Sequence, residues 1–331
     1  MKHVFYLIID QLAGHWEESV KIEGTNLPPV NIKGYHEVGL IPNFSYLIKS
    51  GLWVKRPWNR GICDTRNGVR YLATGRYASP LYNEDYWNNR EKYANENIEG
   101  FFEYAKMYRG KSFKCAVFSG WFQRGYFYTP DTVVNPHSIT RIDVSDFLEC
   151  SDLLLWRNFV LPYLNDNPDF NLVHVYFPTF DHLLSCPSYQ KRKSILSSKH
   201  AYIKFLDEII GEIIEYLKMK KLWEETYFII ASDHGYHLGC SFCHTAGIKT
   251  NNWCCDHDSP YDCEVWDFEN NKSTGIASRG PRRTTFILSG GGLEEKYQGR
   301  VVEEADIIDV IPTIAQILDI PYPCEGKSIL V

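Results

Sequence analysis

The sequence predicts an α/β fold in which helices cover both faces of a mostly parallel central sheet. Apolar runs that fit buried strands are separated by segments with apolar residues every three or four positions, which fit amphipathic helices. This alternation is typical of parallel strands joined by helical crossovers. The predicted strands span residues 3–9, 113–118, 171–177, 226–231 and 284–289.

Helix boundaries follow from capping and helix-breaking residues. Pro42 suits the first turn of a helix, where the missing N–H is not needed. Gly110 fits a left-handed cap that ends another helix, and Pro312 would kink or restart the last one. The predicted helices span residues 43–50, a segment that starts just after Thr65, and residues 97–109, 145–164, 193–219 and 306–318.

Composition and charge exclude several classes of protein. A net charge of −6 and a pI near 6.0 argue against a general nucleic-acid binder, which usually carries a basic face. The sequence contains no run of about 18 apolar residues, so we expect no membrane span. The N-terminus fits a strand better than a secretory signal, so we expect a cytoplasmic protein. The sequence does not indicate the oligomeric state.

Metal-binding residues follow two of the apolar runs directly. Ser232-Asp233-His234-Gly235 comes after the run at 227–231, and Asp10 follows the run at 4–9. In an open α/β sheet, sites form beyond the carboxyl ends of the strands. We therefore expect these two carboxylates and the imidazole to bind one divalent metal.

Thr65 is the candidate nucleophile. A metal beside its hydroxyl would activate that hydroxyl for attack on an ester. Alone, Thr65 fits a helix N-cap, and a helix start also directs backbone N–H groups toward a bound phosphate. The two roles are compatible.

The motifs form an ordered series along the chain. Thr65 lies nine residues before Thr74-Gly75-Arg76, and residues 232–239 have the form S-D-H-G-x-x-L-G. His244 and Lys249 then keep the five-residue separation of a second element. With residues 5–10, 41–52, 309–313 and 326–330, these segments resemble the alkaline phosphatase superfamily, specifically its sulfatase and phosphodiesterase branch.

The resemblance implies a three-layer αβα sandwich, alkaline-phosphatase-like, that hydrolyses phosphate or sulfate esters with divalent metal. Because it runs from residue 4 to residue 330, we expect a single domain over residues 1–331. A Cys-rich insertion at about 239–283 interrupts it. By the same resemblance, Asn67 and Lys249 would contact the phosphoryl oxygens.

Departures from the motifs favour a phosphoesterase. Sulfatases need Cys or Ser at the nucleophile position for conversion to formylglycine, whereas this chain has Thr65. The segment at 115–122 resembles "TA-x-x-GKWH" but lacks its Lys and His. Gln11 replaces the second Asp of many sulfatases. Threonine is a usual nucleophile in the phosphoesterase members.

A second metal would bind near Asp181, which follows the strand at 171–177. In two-metal members a His comes four residues later, but this chain has Ser185 there. His182 is adjacent instead, as a ligand or as a general acid. A distant His completes such a site, and the candidates are His237, His244 and His257. One or two ions are thus expected, with zinc and manganese fitting the ligands about equally.

The insertion carries a cluster of cysteines. Two of them have C-x-x-C spacing, so the cluster could bind a structural zinc. The alternative is a set of reduced thiols packed with Phe242, Trp253 and Trp266, and without secretion a disulfide is less expected. The candidate zinc ligands are Cys240, Cys243, Cys254, Cys255, His257 and Cys263.

The sequence thus predicts a metal-dependent phosphodiesterase that acts on a small phosphate ester through a phospho-threonine at residue 65. Three alternatives remain within enzymes: a phosphomonoesterase, a phosphoryl transferase and a sulfatase-like hydrolase. A further alternative is a non-catalytic member that binds a metal or a partner protein. The sequence does not identify the natural substrate.

Overall fold

The computed structural model describes residues 2–16, 26–77, 100–110, 112–120, 139–141, 151–181, 198–245, 247, 254–255 and 257–331. Within these residues, eight strands form one sheet and two pairs of short strands lie beside it. In chain order the strands are β1 His3–Ile9, β2 Leu52–Trp58, β3 Cys115–Ser119, β4 Ile139–Arg141, β5 Leu172–Phe177, β6 Thr226–Ala231, β7 His237–Leu238, β8 Cys254–Cys255, β9 Glu264–Asp267, β10 Lys272–Ala277, β11 Phe286–Ser289 and β12 Arg300–Asp306.

The main sheet has the order β12-β2-β11-β6-β1-β5-β3-β4. Strand β11 runs antiparallel to both of its neighbours, and the other pairs are parallel. The predicted α/β fold with a mostly parallel sheet is confirmed. Strands β2, β4 and β12 of this sheet were not among the predicted strands. In β12, residues 300, 301, 303 and 304 are exposed and the segment lacks an apolar run.

Helices pack on both faces of this sheet. Their bounds are α1 Ile32–Glu37, α2 Pro42–Ser50, α3 Thr65–Thr74, α4 Phe101–Arg109, α5 Ser151–Leu155, α6 Leu161–Asp166, α7 Ser198–Met219, α8 Ser241–Thr245 and α9 Val310–Ile317. A π-helical turn, Trp156–Val160, joins α5 to α6. The last helix begins at Val310 rather than at residue 306, because Asp306 ends β12 and caps a 3-10 turn.

The alternation of side chains along β1 explains the three layers. Successive residues of a strand point to opposite faces of a sheet. Phe5 and Leu7 accordingly join the core beneath α2 and α7, whereas Val4 and Tyr6 join the core beneath α3, α4 and α9. Both faces are apolar, so the strand is buried on both sides.

The strand order brings three acidic residues to one edge of the sheet. Strand β1 lies between β5 and β6 and is parallel to both. Their carboxyl ends therefore point the same way, and each is followed closely by a carboxylate: Asp10, Asp181 and Asp233. No helix among the described residues is both long enough and apolar enough to cross a membrane.

Candidate active site

Asp10, Asp233 and His234 converge beyond the carboxyl ends of β1 and β6. His234 Nε2 lies 3.3 Å from Asp10 Oδ1 and 3.5 Å from Asp233 Oδ2. The hydroxyl of Thr65 reaches the same place, with Oγ1 at 3.2 Å from His234 Nε2 and 3.5 Å from Asp10 Oδ2. All four side chains are buried. The structure thus brings together the four residues that the sequence analysis placed around the first metal.

Hydrogen bonds fix the orientation of these groups. Asp233 Oδ1 accepts from the backbone N–H of Gln11 at 3.0 Å and of His234 at 2.9 Å. The Tyr176 hydroxyl donates to Asp10 Oδ2. His234 Nδ1 donates to the carbonyl of Gly235 at 3.0 Å, which leaves the Nε2 lone pair facing the site. This is the tautomer that a metal ligand requires.

Thr65 is the first residue of α3, and its predicted role as the N-cap is wrong. The cap is Asp64, whose Oδ1 accepts from the backbone N–H of Asn67 at 2.7 Å. Asn67 Nδ2 also donates to the Asp64 carboxylate, so the Asn67 side chain supports the cap. Gly68 lets the helix approach the sheet closely, since a Cβ there would lie 2.5 Å from the carbonyl oxygen of Asp233.

The chemistry of this group fits a divalent cation. Asp10 Oδ1 and Asp233 Oδ2 are buried and have no hydrogen-bond partner among the described residues. Burial, and then repulsion from Asp233 and Asp181, raises the pKa of Asp10 well above its usual value. Burial raises the pKa of Asp233 to about 7. Buried carboxylates this close together need a positive charge between them, and three ligand atoms within 4.8 Å of one another can hold it.

A second group of candidate metal ligands adjoins the first. Asp181, His234 and His257 also place their ligand atoms within 4.8 Å of one another. His257 Nε2 lies 3.8 Å from Asp181 Oδ1, and His257 Nδ1 donates to the carbonyl of Cys63 at 3.0 Å. Of the three candidates for a distant ligand, the structure brings His257 to this site.

Lys199 is a site residue that sequence reasoning missed. It lies at the start of α7, where the amphipathic pattern conceals it, and no motif marks it. Its ammonium group is buried against the rings of Phe180 and Tyr236, at 3.8 and 4.3 Å from their centroids. Lys199 Nζ donates to Gln11 Oε1, and Gln11 Nε2 donates to Asp181. Gln11 therefore links a buried cation to the second group.

The structure places the other candidate histidines elsewhere. His237 Nδ1 lies 3.4 Å from Cys240 Sγ and 3.2 Å from Cys263 Sγ, because β7 leads into the Cys-rich insertion. His244 stacks on Trp266 with centroids 4.1 Å apart. His257, a candidate both for the second metal site and for the cysteine cluster, faces Asp181. His182 and Lys249 lie outside the described residues, as do the side chains of Cys254 and Cys255.

Comparison with known proteins identifies the family. A family model described as Sulfatase matches residues 77–320. Together with the fold, this match defines a hydrolase of the alkaline phosphatase superfamily, and the prediction of that superfamily is confirmed. The chain belongs to the sulfatase family. By sequence, no curated protein matches it.

Solved structures share the fold at low identity. The lipoteichoic acid synthase from Listeria monocytogenes is 13% identical with a TM-score of 0.61, over 99% of this chain and 74% of that one. The phosphonate monoester hydrolase of Agrobacterium radiobacter is 13% identical with a TM-score of 0.61, and the match covers 100% of this chain and 76% of that one. An inactive murine ectonucleotide pyrophosphatase/phosphodiesterase 5 in complex with AMP is 14% identical with a TM-score of 0.56, and the match covers 99% of this chain and 98% of that one.

Proposed function

We propose that this protein is a metal-dependent phosphoesterase, most specifically a phosphodiesterase, with Thr65 as its nucleophile. The observation that supports this most directly is the position of Thr65 Oγ1, within 3.5 Å of both Asp10 Oδ2 and His234 Nε2. A threonine hydroxyl has a pKa far above neutrality, so it needs such surroundings to react.

The first ion would be held by Asp10, Asp233 and His234, with the hydroxyl of Thr65 as a further ligand. Asp181 and His257 would hold a second. When bound, a divalent cation lowers the pKa of the nearby hydroxyl and offsets the charge that develops on the phosphoryl oxygens. Oxygen and imidazole donors suit zinc or manganese, and we propose one of these.

The remaining steps use the residues of the chain. Thr65 gives its hydroxyl proton to solvent water, and its oxygen bonds to phosphorus while the bond from phosphorus to the leaving oxygen breaks and that oxygen takes a proton from the general acid. Water then cleaves the phospho-threonine, which restores the hydroxyl and releases the phosphate product. The start of α3, a ten-residue helix, favours the bound anion. His182 is the proposed general acid, and Asn67 and Lys249 are the proposed contacts to the phosphoryl group.

A diester is the proposed substrate class. Within the described residues, the proposed second site would have two ligands of its own, Asp181 and His257. A monoester dianion gains more from a complete second site than a diester monoanion does. The fold shared with the phosphodiesterase solved in complex with AMP supports the same class. The substrate would be a small molecule.

Other activities remain as alternatives with their own support. The family match favours a sulfatase-like hydrolase equally, despite Thr65 at the nucleophile position. The synthase among the similar structures favours a phosphoryl transferase. The phosphonate monoester hydrolase favours a monoesterase. A non-catalytic member that binds a metal or a partner would show no turnover.

The deciding experiment compares three esters with wild type and variants of Thr65. Bis-p-nitrophenyl phosphate, p-nitrophenyl phosphate and p-nitrophenyl sulfate are offered with added Mn²⁺ or Zn²⁺. We expect diester turnover that requires metal, is abolished in Thr65→Ala and is partly kept in Thr65→Ser. Thr274→Ala is the control, because Thr274 is exposed on β10. Undiminished turnover in Thr65→Ala would remove Thr65 from the mechanism, and faster sulfate hydrolysis would favour the sulfatase alternative.

The proposed location is the cytoplasm. In support, the thiols of Cys63, Cys115, Cys240, Cys263 and Cys324 form no disulfide within the part of the chain that the structure describes. Reducing compartments keep thiols in this state. Cell fractionation of the tagged chain tests the proposal, and recovery from the medium would contradict it.

A further inference from the structure

Four side chains of types that can bind a metal lie close together where β7 enters the Cys-rich insertion, away from the carboxylates. Cys240 Sγ lies 3.4 Å from His237 Nδ1 and 4.0 Å from Cys243 Sγ. Cys263 Sγ lies 3.2 Å from the same ring nitrogen. All four residues are buried, and their thiols form no disulfide within the described part of the chain. His237, Cys240, Cys243 and Cys263 are called the insertion cluster below.

The spacing of three of these atoms fits tetrahedral zinc, because the ligand atoms of His237, Cys240 and Cys263 all lie within 4.8 Å of one another, and Cys243 adjoins them through Cys240. With Zn–S near 2.3 Å and Zn–N near 2.0 Å, neighbouring ligand atoms lie about 3.5 Å (S to N) and about 3.8 Å (S to S) apart. The observed S to N separations are 3.2 and 3.4 Å, and Cys240 and Cys243 are 4.0 Å apart. Three sulfurs and one imidazole form one of the common structural zinc sets, and Cys240 and Cys243 have the C-x-x-C spacing of such sites.

The surroundings of His237 fit a metal ligand as well. Its Nε2–H donates to the carbonyl of Asp258 at 2.5 Å, which leaves Nδ1 as the nitrogen that faces the sulfurs. A ligating histidine usually donates its other ring N–H in this way, which fixes its tautomer. Phe242 stacks on the imidazole with centroids 4.3 Å apart and shields it from water.

We infer that the insertion cluster binds one structural zinc ion through His237, Cys240, Cys243 and Cys263. Soft thiolate ligands select zinc over magnesium or manganese. This ligand set differs from the candidates expected from the sequence, since it has His237 in place of His257 and omits Cys254 and Cys255, whose side chains lie outside the described residues. The alternative, a set of reduced thiols without metal, would not explain why His237 Nδ1 faces the sulfurs of both Cys240 and Cys263.

The zinc would also hold a segment that reaches the proposed active site, and this part of the inference rests on the proposed function. Strand β7 pairs with β8, with His237 opposite Cys255. Two residues further along, His257 contacts Asp181. Asp258, the next residue, is bonded to His237. A zinc ion on His237 therefore holds the chain on both sides of His257.

Zinc content after mild chelation tests the ion itself. We expect about one zinc per chain in reduced wild type reloaded with Mn²⁺, and the same in Asp10→Ala, which alters the carboxylate site. Cys263→Ser should lose this zinc, whereas Cys324→Ser, a thiol outside the cluster, should keep it. The inference is overturned if folded wild type binds no chelation-resistant zinc, or if Cys263→Ser retains it.

Two further measurements keep the test decisive. Should Cys263→Ser fail to fold, zinc X-ray absorption of wild type must show three sulfurs and one nitrogen around the ion, and any other ligand set refutes the assignment. A disulfide between cluster cysteines, found by mass spectrometry of the native protein, would refute it too.

The effect on His257 has its own readout. Affinity for the second Mn²⁺ should weaken about 10- to 100-fold in Cys263→Ser, as for loss of a supporting contact. Unchanged affinity for the second Mn²⁺ would show that the zinc does not help to position His257. Zinc bound as expected in a protein that hydrolyses no ester would leave the cluster standing and refute the proposed function alone.

Discussion

The imidazole rings of His234 and His257 lie with their centroids 4.0 Å apart and their planes 38° from parallel. His234 follows a strand of the main sheet, whereas His257 belongs to the insertion. Their contact joins the two groups of ligands, since His234 belongs to both. Burial, and then the nearness of His257, lowers the pKa of His234 well below its usual value. The neutral imidazole is the form that binds a metal.

Replacing His257 should remove the second ion selectively. We expect His257→Ala to keep the first Mn²⁺ and to lower kcat/KM for a diester by at least about 100-fold, more than loss of an outer-shell contact usually costs. Isothermal titration with Mn²⁺ measures the number of ions and their affinities. His244→Ala is the control because His244 stacks on Trp266 in the same insertion. Equal losses in both variants would argue against the site at Asp181.

Replacing Asp10 should uncouple stability from metal. A ligand that binds only the folded state stabilises it by about 2.7 kcal/mol at 100 times its Kd. Wild type should therefore gain several degrees in Tm with saturating Mn²⁺, and Asp10→Asn should gain little. Without metal the variant should be no less stable than wild type, because one of the buried, mutually repelling carboxylates is gone. A full Tm increase in Asp10→Asn would exclude Asp10 as a ligand.

Asp207 should stabilise the fold without affecting the site. From α7 its carboxylate accepts the backbone N–H of Asn43 at 3.1 Å and of Phe44 at 2.8 Å, at the start of α2. Asp207→Ala leaves these N–H groups without that acceptor, which should lower the free energy of unfolding by about 1–3 kcal/mol. Urea denaturation measures the change. Glu208→Ala alters an exposed neighbour and should change stability by less than about 0.5 kcal/mol.

His174 should make the fold sensitive to acid. Burial lowers its pKa from 6.5 to about 3. Between these pH values the unfolded chain binds a proton at His174 that the folded state does not bind. The contribution of His174 to the free energy of unfolding is therefore complete above about pH 6.5 and is lost as the pH falls toward 3. From about pH 7.5 to about pH 5, wild type should lose about 2 kcal/mol more than His174→Phe. Parallel urea curves at both pH values provide the test, and identical losses would contradict it.

The sequence predicted the strands that are buried on both faces, because such strands consist of apolar residues throughout. Strands β1 and β6 are continuous apolar runs because they are buried on both faces. Asp10 and Asp233 could be placed together since they follow parallel strands. Strand β12 could not be predicted, because an edge strand with exposed residues needs no apolar pattern.

The remaining site residues depend on tertiary contacts that spacing does not encode. His237 lies just before the Cys-rich insertion and His257 lies within it, and the sequence indicates their order but not the direction in which each side chain points. The structure directs His237 to the sulfurs and His257 to Asp181. Lys199 was missed because a lysine on an amphipathic helix is ordinarily solvated, whereas this one is covered by two aromatic rings.

Because His257 belongs to the insertion and the other residues follow strands of the sheet, the two parts of the candidate site can change independently in evolution. Mutations in the sheet would disturb Asp10, Asp233 and His234 together with the packing of both faces. Exchange of the insertion would replace His257 and leave those three in place. Homologues with a different insertion would then inherit the proposed nucleophile and the proposed ligands of the first ion, and would differ at the position of His257.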